Sequence, residues 1–64
     1  MKITQKHWST LFITNYNESE YLKIEVAASI SNCRIIKEDT RLVIAGTTSL
    51  TAQKQLNIFK ASLA

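Results

Sequence analysis

The sequence predicts a small α+β domain, an antiparallel sheet of three to four strands packed against one C-terminal helix. Three observations carry that prediction. Ala52, Leu56, Phe59 and Leu63 recur at helical spacing in the last quarter of the chain. The runs Arg34-Ile35-Ile36-Lys37 and Arg41-Leu42-Val43-Ile44-Ala45 flank a polar break of hairpin length, Glu38-Asp39-Thr40. Leu22, Ile24, Val26, Ala28 and Ile30 alternate with other residues at a period of two, the pattern of a strand with one buried face. With 64 residues there is room for one domain, spanning 1–64, and for no linker.

Taken in order, residues 8–16, Trp-Ser-Thr-Leu-Phe-Ile-Thr-Asn-Tyr, are rich in strand formers. Asn17-Glu18-Ser19-Glu20 reads as a polar turn, and the alternating segment from Tyr21 to Ser31 follows it. A helix competes for that segment. Asn17 is a good N-cap, Glu18 and Glu20 suit a first turn, and Leu22, Val26, Ile30 and Cys33 would share one face. The alternation favours the strand, giving β-β-β-β-α, with β-α-β-β-α as the alternative. The hairpin at 34–45 closes on Gly46, the only glycine, expected where the chain needs a positive φ or a close approach. Thr47, Thr48 and Ser49 offer hydroxyl caps for a helix over 49–62, whose apolar stripe would lie on the sheet and whose Lys60 suits its C-terminal dipole.

In the helix version, Leu42-Val43-Ile44-Ala45-Gly46-Thr47-Thr48 leading into a terminal helix resembles the corresponding part of DinI-type regulators of RecA. The resemblance covers only the last third of the chain. That family's strongly acidic terminal helix is missing, because this helix carries Lys54 and Lys60 and no acid. No site residue is carried over from it.

Composition narrows the function. A chain that is 45% hydrophobic and 20% charged, with one glycine and no proline, is globular rather than disordered. No apolar run approaches the roughly 18 residues that span a bilayer, so no membrane partner is expected. A single cysteine, Cys33, forbids an internal disulfide, and with no export signal it suggests a cytoplasmic protein. Cys33 and His7 together fall short of four zinc ligands, so no metal and no cofactor are expected. No catalytic residues are assigned either. Asp39 and Glu38 fall in a turn, and nothing brings His7 to Cys33. The chain is expected to bind rather than catalyse. A domain this small buries only about 60% of its unfolded surface, so a homodimer or another partner is expected to add to the core.

Net charge is +3, and both ends are purely basic. If residues 8–16 and 21–29 form a hairpin, Leu11, Ile13, Leu22, Ile24, Val26 and Ala28 share one face. Trp8, Phe12, Tyr16 and Tyr21 share the other with Lys6, Thr10, Thr14, Lys23 and Glu25. Aromatics interleaved with cations are what sheet-based binders of single-stranded nucleic acid use, with Lys2, Lys6, Lys23, Arg34, Arg41 and Lys54 as candidate phosphate contacts. The same composition serves a protein interface, or a core if the helix covers those rings. A second candidate protein interface is Leu50, Ile58 and Ala61, opposite the core stripe of the last helix. Arg34, Lys37 and Arg41 form a further basic cluster around the second hairpin, where Glu38 and Asp39 would repel phosphate.

Overall fold

The computed structural model describes residues 1–48 and 50–63. Its order is β1 (Lys2–His7), β2 (Thr10–Thr14), α1 (Glu18–Ser31), β3 (Arg34–Lys37), β4 (Arg41–Ala45) and α2 (Ala52–Leu63). The chain thus runs twice through a hairpin followed by a helix. The four strands form one antiparallel sheet in the order β1-β2-β4-β3, so the second strand of each hairpin lies at the centre. The α+β class, the antiparallel sheet and the C-terminal helix are as the sequence predicts.

Strand alternation decides the two faces of the sheet. Leu11 pairs with Ile44 and Ile13 with Leu42, and all four are fully buried. Against them pack Ile24, Ala27 and Ala28 of α1 and Leu56 and Phe59 of α2, so both helices cover one face. Ala52, Leu56 and Phe59 are buried and Leu63 half-buried, the stripe expected of α2. Ser49, expected among its caps, lies outside the described residues.

The segment from 17 to 31 departs from the favoured reading. It is a helix, not a strand, and the expected turn at 17–20 is that helix's start. The physical reason is a capping box. The Asn17 side chain accepts from the Glu20 backbone N–H at 2.8 Å, and the Glu20 carboxylate accepts from the Asn17 backbone N–H at 3.0 Å. Asn32 ends the helix in the left-handed region at φ 61°, and the Cys33 N–H returns to the Ala28 carbonyl at 2.9 Å. The alternation misleads because this helix is apolar on two sides. Ile24, Ala27 and Ala28 are buried, whereas Leu22, Val26 and Ile30 are 62, 59 and 64% exposed on the opposite side. Leu22 and Val26, expected in the core, are therefore outside it.

Two tests follow from this cap. Asn17→Ala is expected to lower stability by about 1 kcal/mol, measured by urea unfolding. The hydrogen bond from the Asn17 N–H holds the Glu20 pKa below its ordinary value. A carboxylate depressed in the native state adds stability above the unfolded-state pKa, and that stability is lost as pH falls through the lower native one. The difference in melting temperature between wild type and Glu20→Gln is expected to be present at neutral pH and to vanish in acid.

Gly46 is at the corner between β4 and α2 because of space, not φ. Its φ is not positive, but a Cβ there would lie 2.5 Å from the Ala52 Cα and against the Ala52 Cβ. Its N–H donates to the Ser9 carbonyl at 3.2 Å, tying this corner to the β1–β2 turn.

Candidate nucleic-acid interface

The helices leave the other sheet face bare. Pairing places Lys2 opposite Thr14, Thr4 opposite Phe12, Phe12 opposite Val43, Thr14 opposite Arg41 and Ile36 opposite Val43, all on this open face. Arg34 joins them opposite Ala45 at the far end of β3. β1 carries an irregularity between Gln5 and His7, and there Lys6 brings its ammonium to 5.9 Å from the Phe12 ring centroid. Among the described residues no strand contains an aspartate or glutamate, whereas five of the eight lysines and arginines (Lys2, Lys6, Arg34, Lys37 and Arg41) lie on strands. The acids sit on α1 and in the β3–β4 turn.

Phe12 is the centre of this face. The Arg41 guanidinium carbon is 4.0 Å from its ring centroid, within the range of a cation–π contact. Arg41 is oriented in turn by Glu38, whose carboxylate accepts from Nε at 2.6 Å. A guanidinium over an aromatic ring places a cation and an apolar ring side by side on the sheet surface. Val43 and Ile36, the latter 43% exposed, continue it as apolar floor towards β3.

The predicted site is thus brought together in part. Phe12, Lys2, Lys6, Arg34 and Arg41 share the open face. Trp8 is in the β1–β2 turn at its margin, 46% exposed, with its ring centroid 5.5 Å from that of His7. Tyr16 and Tyr21 are elsewhere. Their rings stack on each other at 6.1 Å and pack against the core from its edge, with Lys37 over Tyr21 at 5.7 Å. The four aromatics share no surface, because the segment carrying Tyr21 is helical. Lys23 is on α1 and Lys54 on α2, both away from the open face. Arg34 and Lys37 stand at opposite ends of β3, so the basic cluster expected at the hairpin tip is divided, and its Arg41 is held by Glu38.

Leu50, Ile58 and Ala61 are all exposed, but Leu50 precedes α2 rather than lying on it. The sequence reading missed Thr4, Val43 and Ile36 as members of the open face. The signal was available in β4, where Leu42 and Ile44 alternate with Arg41, Val43 and Ala45. Among the described residues no helix is long and apolar enough to cross a membrane. Comparison of the chain with protein-family models, with curated proteins and with solved structures gives no match.

Proposed function

We propose that this chain is a non-enzymatic binding module that takes up single-stranded nucleic acid on the open face of its sheet. The observation that carries the reading is the Arg41 guanidinium 4.0 Å from the Phe12 ring centroid, on a sheet whose strands hold cations and no acid. Unpaired bases stack on aromatic rings and on arginine planes, and a flat sheet offers such a platform to a splayed strand. Lys2, Lys6 and Arg34 surround it and reach the phosphates. In a duplex the base faces are hidden, so the same surface would meet phosphates alone and bind more weakly.

The test is the anisotropy of labelled oligonucleotides, followed in parallel by the fluorescence of Trp8, the only tryptophan. Single strands are expected to bind at low salt and to weaken with a log–log slope of roughly −2 to −3, from three or four phosphate contacts at about −0.7 each. The absence of any single-strand binding at low salt overturns the proposal. Equal affinity for duplex overturns the stacking part of it.

A further inference from the structure

We propose that the outer face of the helical layer docks on the same face of a second copy of this chain, with α1 of each copy lying on α2 of the other. α1 turns Leu22, Val26 and Ile30 away from the core at spacings of four, each more than half exposed. Solvated helices carry single apolar residues there, not an aligned row of three. The row continues into an open groove of about 440 Å³ between the helices, lined by Leu22, Lys23, Val26, Ser62 and Leu63. On α2, Ile58 is 39% exposed.

Charge selects the occupant and its orientation. The exposed acids of α1 are Glu18 and Glu25, against Lys23, since Glu20 is turned into its cap and pairs with the N-terminal ammonium at 3.5 Å, while α2 bears Lys54 and Lys60 and no acid. The layer is acidic on one helix and basic on the other. A polyanion is disfavoured by α1, and a second copy fits in one of two ways. A two-fold axis across the helices sets α1 on α1 and brings Glu25 towards its own copy. A two-fold axis along the helices sets α1 on α2 and opposes unlike charges twice.

The level of those charges also agrees. The helices are antiparallel: Gln55 in the first turn of α2 donates to the carbonyl of Asn32 just after α1, and Ser62 and Leu63 share the groove with Leu22 and Val26. Lys60 therefore lies at about the height of Glu25. At 100° per residue, Glu25 falls on the flank of α1 away from α2, and Lys60 on the flank of α2 away from α1. An axis parallel to the helices superposes these flanks, placing Glu25 of each copy beside Lys60 of the other.

Sedimentation equilibrium across the micromolar range tests this, with circular dichroism to verify folding. The wild type is expected to be a dimer. Val26→Asp, on an exposed position, is expected to be monomeric with an unchanged spectrum. Glu25→Lys and Lys60→Glu are each expected to weaken the dimer by roughly threefold to tenfold, and the double variant to return to within about twofold of wild type. A monomeric wild type overturns the proposal, as does a Val26→Asp variant that dimerises as well as wild type. A double variant no tighter than the weaker single overturns the orientation.

Discussion

Phe12→Ala combined with Arg41→Glu is expected to reduce single-strand affinity by about a hundredfold or more, because it removes both halves of the stacking platform. Loss of an aromatic under a base costs about 1–3 kcal/mol, or roughly 5- to 150-fold. Reversing Arg41 adds repulsion beside the strand and frees Glu38, which now accepts from it at 2.6 Å. The two effects separate in the salt dependence. Phe12→Ala alone is expected to weaken binding at every ionic strength with its slope unchanged. Lys6→Ala is expected to make the slope shallower by about 0.7. If Phe12→Ala binds as wild type does, the bases do not stack there and the open face holds phosphate only. The fold is expected to survive these changes, since Phe12 is half-buried on the side of the sheet that the helices do not touch.

Phe59→Ala has the largest expected effect on stability. Phe59 is the largest fully buried side chain, and it sits among Leu11, Ile13, Ile24, Leu42, Ile44 and Leu56 where α2 meets the sheet. Truncation removes buried apolar surface and leaves a cavity, at about 3–5 kcal/mol. A single core of this size supplies rarely more than about 3–5 kcal/mol in total. The variant is therefore expected to be largely unfolded at 25 °C, seen as loss of the helical circular dichroism signal without denaturant. A cooperative urea transition with a midpoint near that of wild type would show that α2 contributes far less than its packing implies.

The parts of the fold legible in the sequence are those where one pattern dominates. In α2 the stripe from Ala52 to Leu63 has no competitor, and in the second hairpin Glu38-Asp39-Thr40 interrupts two β-branched runs. α1 was harder because Leu22, Val26 and Ile30 are apolar but not in the core, so its residues satisfy a period of two as well as a helical one. Local capping by Asn17 and Glu20, with tertiary packing of Ile24, Ala27 and Ala28, decided between them. β1 left almost no trace, since Ile3 is the only aliphatic residue in Lys2–His7 and its strand character comes from pairing with β2. The candidate site was half legible for the same reason. Phe12, Lys6 and Arg41 depended on strands read in outline, whereas grouping Tyr16 and Tyr21 with them required a hairpin that does not form.

The strands carry five of the eight lysines and arginines and no acid, while on the helices Glu18, Glu20 and Glu25 offset Lys23, Lys54 and Lys60, so the net charge of +3 lies towards the sheet side of this molecule. A polyanion approaching from a distance turns the molecule before it touches it, so that a large share of encounters begins with the sheet leading. Such steering acts over about 10 Å at 0.1 M salt, a fair fraction of a body 31 Å in its longest dimension. For the proposed single-strand complex, the rate of capture as well as the lifetime is therefore expected to fall as ionic strength rises.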